Sequence, residues 1–250
     1  MADDRGASST LKGRLADVYV PALVQGSLQA LSRRLGNRAT IDDPIFGRAS
    51  TLSSIDPLLE KVAARFRESQ ATYQHVASAT GVDRDVSEGR LVLQGDDGPA
   101  EVPIAVVAER RRLREIELRV YYASGSAPRK IRPPLLDGND DVAIPQIVAH
   151  VLDAFRKGAV ERILAAFEET SRFVDPGGQA HTKRDGQMAS FIAALGGRIE
   201  LFPGGAADDG RTCCVEAVVA RQREEPEPAA MSFERGDSGL LKELRLYYEP

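Results

Sequence analysis

The hexapeptides ELRVYY, at residues 117–122, and ELRLYY, at residues 243–248, decide how this sequence is divided. Their last residues, Tyr122 and Tyr248, stand 126 positions apart in a chain of 250 residues. Each hexapeptide is typical of a β-strand, because apolar or aromatic residues alternate with polar ones. A repeat at about half the chain length indicates two copies of one module.

A second pair of matching stretches lies earlier in each copy. ATIDDPIFG covers residues 39–47, and RFVDPGGQ covers residues 172–179. In both, a short apolar strand ends in a carboxylate followed by proline, at Asp43 and at Asp175. The proline fixes the chain as it leaves the strand. The carboxylate can either face a cavity or accept N–H bonds within a turn, and both interpretations stay open here.

The same order of elements is predicted in both copies. Apolar residues at helical spacing predict helices over 17–35 and 54–67, and again over 142–167, with an interruption near Gly158, and over 183–195. Alternating runs predict strands over 71–79, 90–94, 102–108, 116–122, 198–202, 212–221, 229–235 and 242–248. Helices followed by a run of antiparallel strands predict an α+β fold, in which the sheet curls around the helices.

Composition favours two small globular domains. Hydrophobic residues make up 42% of the chain and charged residues 28%, which is an ordinary globular balance. A segment rich in proline and glycine at 123–140 is predicted to be a linker. We therefore expect a first domain at 11–122 and a second domain at 141–250.

Charge and cysteine content exclude several classes of protein. The net charge of −4 favours neither nucleic acid nor an anionic membrane. The polar start, MADDRGASST, has no signal-peptide pattern, and no apolar run is long enough to span a membrane. The basic run at 109–115 is interpreted as a solvated turn or as an anion or partner contact. Cys213 and Cys214 are adjacent and lack metal-ligand spacing. We expect a cytoplasmic protein with no metal and no cofactor.

The opening of each copy resembles a known superfamily. YVPALVQGSLQALSRRLGNRATIDDP, at residues 19–44, is similar to the start of ketosteroid isomerases and of the wider SnoaL-like, NTF2-like superfamily. VLDAFRKGAVERILAAFEETSRFVDP, at 151–176, aligns on the same frame. The resemblance implies tandem cystatin-like conical barrels, each a curved antiparallel sheet wrapped on helices around an apolar cavity. It does not fix one reaction, because the superfamily hosts isomerases, cyclases, dehydratases, epoxide hydrolases and binding modules.

The resemblance also implies roles for individual residues. Asp43 is expected to be a general base, Tyr19 its hydrogen-bonding partner, and Asp175 the matching carboxylate of the second copy. Burial in an apolar cavity raises the pKa of a carboxylic acid, so that it can take a proton from carbon or activate water. The residues expected to bind ligand are Tyr122, Tyr248, Val107, Phe233 and His181.

The sequence departs from the family pattern at the remaining acidic group. The carboxylic acid that the family pairs with its tyrosine falls on Ala105 in the first copy and on Met231 in the second. Val151 stands where the second copy would need the tyrosine. Loss of one oxyanion donor costs about 10²–10³ in rate. We therefore expect any activity, or the tighter ligand site, to lie in the first copy, up to about residue 122.

These observations lead to two functional expectations. The first is a protein that binds a small apolar metabolite, such as a polyketide-like carbonyl or epoxide compound, with isomerase, cyclase or epoxide hydrolase chemistry. The alternative is a non-catalytic ligand-binding or protein-interaction module. Family members commonly pair through their sheets, so the two copies are expected to form a pseudo-dimer within the chain, with a further homo-dimer as an open possibility.

Overall fold

The computed structural model describes residues 11–95, 98–111, 115–123, 142–195, 199–221 and 226–248. Nearly all of the predicted linker, and the centre of the basic run at 109–115, lie outside these ranges. The described residues form two consecutive units, and the elements of the first unit are α1 Leu15–Val24, α2 Leu28–Leu35, β1 Ala39–Asp43, β2 Gly47–Ala49, α3 Leu52–Glu68, β3 Thr72–Thr80, β4 Arg84–Gly95, β5 Gly98–Arg110 and β6 Ile116–Tyr122.

The second unit repeats this order. Its elements are α4 Gln146–Arg156, α5 Val160–Ala165, β7 Phe167–Val174, β8 Ala180–Thr182, α6 Gln187–Leu195, β9 Ile199–Asp208, β10 Thr212–Arg221, β11 Glu227–Arg235 and β12 Leu241–Tyr247.

The two units have the same sheet topology. The strand order is β2-β1-β6-β5-β4-β3 in the first sheet and β8-β7-β12-β11-β10-β9 in the second. β1 runs parallel to β6, and β7 runs parallel to β12, whereas the other neighbours are antiparallel. The predicted α+β class is confirmed. The sheets are mixed, however, because the first strand of each unit pairs with the last in the same direction. They are also open, with β2 and β3 at the edges of the first sheet and β8 and β9 at the edges of the second, so they are not closed antiparallel barrels.

Glycine divides each predicted long helix into two. The helix predicted over 17–35 is broken at Gly26, and the one over 142–167 is broken at Gly158. Both glycines have a positive φ, +72° and +62°, a conformation that other residues adopt only at a cost. The second prediction also ran too far, because Phe167 begins β7 rather than ending a helix.

The strand predictions were too short where charged or turn-forming residues stand inside strands. β4 begins at Arg84, six residues before the predicted start, because the interior of this strand carries Glu88. β9 continues through Pro203 to Asp208, where the sequence suggested a turn. The sheet register shifts between Glu216 and Ala217, which accommodates the extra residue in β9.

Alternation along each strand gives every sheet two buried faces. In β6, Leu118, Val120 and Tyr122 belong to the core beneath the helices of the first unit. Tyr121, between them, points the other way and packs with residues of the second unit, Cys214 and Tyr247 among them. Side chains of a strand alternate between faces, so one strand serves both a helix-covered core and a sheet-to-sheet interface.

Two buried glutamates lie at the centre of this interface and are related by the internal repeat. Glu216 of the second unit accepts hydrogen bonds from Arg119 Nε at 2.6 Å and from Tyr121 Oη at 2.5 Å. Glu88 of the first unit accepts the equivalent bonds from Arg245 Nε at 2.7 Å and from Tyr247 Oη at 2.6 Å.

Charge compensation keeps the two arginines ionised inside the protein. Burial alone lowers the pKa of Arg119 and of Arg245, but the facing carboxylates of Glu216 and Glu88 raise both pKa values above the ordinary arginine value. A buried ion pair is costly to break, because removal of one partner leaves the other charge uncompensated. The interface therefore depends on both glutamates.

One additional arginine makes the interface asymmetric. Arg84 Nε lies 3.1 Å from Glu216 Oε2, and its guanidinium crosses the backbone at Gly205. A Cβ atom at position 205 would stand within 2.5 Å of three guanidinium atoms. The register of the two sheets puts Thr212 at the place in the second unit that corresponds to Arg84. Glu88 thus has no second arginine facing it from that position.

Candidate functional site

Asp43 ends β1 and lies in the core of the first unit. Its Oδ1 accepts the backbone N–H groups of Ile45 and Phe46, each at 2.9 Å, which closes the turn before β2. Tyr122 Oη donates to the same carboxylate, at 3.2 Å from Oδ1 and 3.3 Å from Oδ2. The carboxylate therefore both caps a turn and joins β1 to the last strand of its sheet.

Tyr19 approaches this carboxylate from helix α1. Its hydroxyl is buried without a hydrogen-bond partner among the described residues. Burial, followed by the negative charge of Asp43, raises the pKa of Tyr19 well above its ordinary value. Burial and then Asp43 raise the pKa of Tyr122 in the same way. Both phenols are neutral near pH 7, so they are able to donate but do not act as bases.

The predicted trio of Tyr19, Asp43 and Tyr122 is thus brought together, but it is enclosed. Tyr19 and Asp43 are each 1% exposed and Tyr122 is 5% exposed. A substrate could reach Asp43 only if the core of the first unit opened.

Asp175 takes a different direction in the second unit. Its Oδ1 accepts the N–H of Gln179 at 2.9 Å, again closing the turn after the strand. Its Oδ2 lies 2.9 Å from His181 Nε2. The imidazole stacks on Phe191 of α6, with ring centroids 4.3 Å apart and an angle of 14° between the planes. The pair lies at the sheet edge, where both side chains keep some exposure.

A cavity lies beneath the sheet of the second unit. The space between atoms, including that open at the mouth, is about 440 Å³, and the centre of a water molecule could occupy about 20 Å³ of it. All the lining residues are hydrophobic: Phe155, Leu195, Leu201, Val219, Ala229, Met231, Leu246 and Tyr248. Of the residues expected to bind ligand, Tyr248 is in this wall.

Two side chains leave less room at the matching place in the first unit. The sheet registers align Ile104 of β5 with Ala229 of β11. Tyr19 and Val151 occupy matching positions before the Asp-Pro pair of each unit. In the first unit a tyrosine and an isoleucine therefore fill volume that, in the second, valine and alanine leave free.

The other predicted residues fall on both faces of the sheets. Phe233 packs in the helix-covered core of the second unit. Val107 was expected to bind ligand, but it lies on the opposite face of its sheet from Tyr122, in the interface between units. Ala105 is in that interface as well, whereas Met231 lines the cavity. The two positions assigned to the family's acid are not equivalent, because a shift of one residue changes the face.

Sequence reasoning missed most of the cavity wall and the buried glutamates. Glu216 stands alone in the apolar run CCVEAVVA, and an isolated charge of this kind signals a buried partner, whereas Glu88 has polar neighbours in VSEGRLVL and gives no such signal. For the cavity, the signal was a smaller residue in the second copy at two positions, Val151 against Tyr19 and Ala229 against Ile104.

The described residues contain no group of three or more histidine, cysteine, aspartate or glutamate residues placed to hold a metal ion. None of the helices in the described ranges has the length and apolar character needed to cross a membrane.

No family model matches the chain, and no curated protein sequence matches it significantly. Solved structures similar to it include a protein of Catenulispora acidiphila with a ketosteroid isomerase-like fold, in complex with trimethylamine. That match has 19% identity, covers 43% of this chain and 88% of the other, and has a TM-score of 0.38.

Two further similar structures come from other bacteria. An NTF2-like protein of Cytophaga hutchinsonii has 11% identity, with 45% of this chain and 95% of the other covered and a TM-score of 0.36. The Orange Carotenoid Protein of Anabaena binding canthaxanthin has 13% identity, with 50% and 45% covered and a TM-score of 0.40. Both units of the present chain have the α+β architecture that the sequence predicted.

Proposed function

We propose that this protein binds a small apolar molecule, or the apolar part of a larger one, in the cavity of the second unit. The observation that carries the proposal is the wall of that cavity, in which every lining residue is hydrophobic. The hydroxyl of Tyr248 is the one polar side-chain group in this wall, and a cavity with so few polar groups is a poor site for water and a good one for hydrocarbon surface.

The size of the cavity limits the ligand. The volume open to the centre of a water molecule, about 20 Å³, is far below the surrounding 440 Å³, and the smaller figure sets what fits without movement. Phe155 and Leu195 are the two lining residues that are only partly buried, so a change of their rotamers is the simplest way to widen the space. A flat, single-ring or narrow aliphatic molecule suits such a site.

Binding without bond-making is better supported than the enzyme class that the family resemblance implies. Asp43, the expected general base, is 1% exposed, and its carboxylate accepts three hydrogen bonds from groups of its own unit. A general base must reach the proton that it takes. Isomerase, cyclase or epoxide hydrolase chemistry on a polyketide-like compound remains the second candidate. The partly exposed pair of Asp175 and His181 favours the second unit for it.

Methionine methyl signals provide a direct test. The chain has three methionines, of which Met231 lines the cavity and Met188 lies in the same core outside the lining. Protein carrying ¹³C-methyl methionine is titrated with toluene and then with naphthalene. We expect the Met231 signal to move in a saturable way with toluene, while the Met188 signal moves less.

A matched pair of substitutions locates the binding. Ala229→Ile copies the residue of the first unit and fills the cavity, so it should abolish the saturable shift. Ala149→Ile makes the same change at an exposed position of α4 and should leave binding unchanged. An unmoved Met231 signal up to the solubility limit of toluene, or wild-type binding by Ala229→Ile, would contradict the proposal.

A further inference from the structure

We infer that the first unit sets the shape of the ligand cavity in the second unit, and that Glu88 is the positioning residue through which it does so. This inference rests on the proposed function. It concerns a residue that contacts neither the cavity nor any ligand in it, and that belongs to the other unit.

The connection arises from the two faces of the last two strands. Leu246 of β12 and Tyr248, directly after it, line the cavity, whereas Arg245 and Tyr247 point to the first unit. In β11, Met231 lines the cavity, whereas Ser232 points to Glu88. Three cavity residues therefore stand next to residues that Glu88 holds from the other face.

Glu88 holds the outer face of both strands at once. Its Oε1 accepts Ser232 Oγ of β11 at 2.7 Å, and its Oε2 accepts Arg245 Nε and Tyr247 Oη of β12 at 2.7 and 2.6 Å. The carboxylate is fully buried, where hydrogen bonds to a charged group are short and strong. Because β11 and β12 are already joined by backbone hydrogen bonds, what Glu88 fixes is the position of this strand pair against the first unit, and hence the shape of the cavity floor.

The internal repeat supplies a matched control. Glu216 holds β6 of the first unit through Arg119 and Tyr121, and the opposite face of β6 carries Val120 and Tyr122 in the core of that unit. Glu216 itself lies in β10, which contributes only Val219 to the cavity wall, so its loss should change the ligand site less than the loss of Glu88. If the coupling acts through Glu88, substitution of Glu88 has to change the ligand affinity of the protein more than substitution of Glu216 does.

The test compares Glu88→Gln with Glu216→Gln in the full chain, with toluene and naphthalene as probes and the Met231 methyl signal as the readout. Coupling between sites commonly changes affinity by about 5–150-fold. We expect a toluene Kd about tenfold weaker in Glu88→Gln and changed by less than about twofold in Glu216→Gln. The ratio of toluene to naphthalene affinity should change only in Glu88→Gln, because a general loss of stability does not alter selectivity in molecules that remain folded.

Milder variants cover the case in which either glutamine variant does not fold. Tyr247→Phe and Tyr121→Phe each remove one phenol from a buried glutamate, and the first alone should weaken toluene binding. Thermal melts establish that every variant is folded at the assay temperature. Equal effects in the two members of a pair, or no effect in either while the wild type binds, would overturn the inference. A wild type that binds neither probe would instead contradict the proposed function.

Discussion

The two Asp-Pro carboxylates end corresponding strands, yet they lie in different environments. Asp43 points into the core of the first unit, where Tyr122 donates to it. Asp175 points to the sheet edge of the second unit, where it pairs with His181. Both use one oxygen to close the turn that follows. The dipeptide thus specifies the turn, while the neighbouring side chains decide where the second oxygen goes.

The same contrast extends to the cores above the two sheets. The first unit has Tyr19 and Ile104 where the second has the smaller residues Val151 and Ala229. In the second unit Tyr248 is part of the wall of a cavity. One fold therefore accommodates different side-chain volumes above its two sheets with few changes. If only these few side chains differ in effect, substitutions at matching positions of the two units should have unequal effects that the local contacts explain.

The largest effects are expected from the buried glutamates. Removal of one partner of a buried ion pair commonly costs about 3–5 kcal/mol. Glu216→Ala deprives two guanidinium groups, those of Arg119 and Arg84, of a carboxylate, whereas Glu88→Ala deprives only that of Arg245. We expect both substitutions to lower the free energy of unfolding in urea by about this amount, and we expect Glu216→Ala to be the less stable variant.

An exposed pair provides the reference for that measurement. Glu101 lies 3.4 Å from Arg90 at the surface, and exposed pairs contribute at most about 1 kcal/mol. Glu101→Ala should therefore hardly change the urea transition. Equal stability of Glu88→Ala and Glu216→Ala would show that the contact of Arg84 with Glu216 does not make the interface energetically asymmetric.

A smaller effect should come from the thiols, which only the second unit has. Burial raises the pKa of Cys213 to about 12, and burial followed by Glu88 and Glu216 raises that of Cys214 well above its ordinary value. The folded thiols keep their protons at a pH where unfolded thiols, with a pKa of about 8.5, lose them. Their stabilising contribution is therefore complete below about pH 8 and is lost as the pH rises.

The expected loss is about 1 kcal/mol for each thiol between pH 8 and pH 9.5. It is measured as the change in unfolding free energy in urea, under reducing conditions, at the two pH values. The double substitution Cys213→Ala and Cys214→Ala should reduce the pH dependence by about 2 kcal/mol. Asp85 and Val86 stand at the matching positions of the first unit. An unchanged pH dependence would assign the alkaline loss to the buried tyrosines instead.

The smallest effects should separate the two tyrosines of the first unit. Tyr122→Phe removes the hydrogen bond to Asp43 and should cost about 1–2 kcal/mol. Tyr19→Phe removes a hydroxyl that is buried without a partner among the described residues, so it should be neutral or slightly stabilising. Thermal and urea unfolding of the two variants make the comparison. A strong destabilisation by Tyr19→Phe would mean that this hydroxyl has a partner, such as a buried water molecule.

The repeated strands and the Asp-Pro turns were predictable because each depends on a local pattern. The strand 116–122 was predicted with its observed bounds, since its alternation is unbroken. The close approach of Tyr19 to Asp43 followed from the resemblance, because a helix position and a strand end are fixed by the shared fold. The helix break at Gly26 was missed, because an apolar spacing continues across it.

The cavity and the interface were not predictable from one copy alone. Whether Ala229 lines a space depends on what faces it from α4 and α6, which is a property of packing and not of pattern. Val107 was assigned to the wrong set of neighbours for a related reason. In the run IAVVA of β5 both faces are buried and apolar, so alternation between apolar and polar residues, which normally identifies the inner face, is absent there.

The arginine that crosses Gly205 has a consequence for the symmetry of the molecule. In a dimer of identical chains every side chain occurs twice, so an arginine added to one side of the axis would be added to the other and would need a second gap in the backbone opposite. Here the two sides are separate stretches of one polypeptide. Arg84 can occur once, with Thr212 as its counterpart, and a single glycine suffices. Because the two halves are covalently linked parts of one chain, neither has to match the other in sequence. The core of the second unit can therefore contain a ligand cavity lined by Ala229 where the first unit has Ile104.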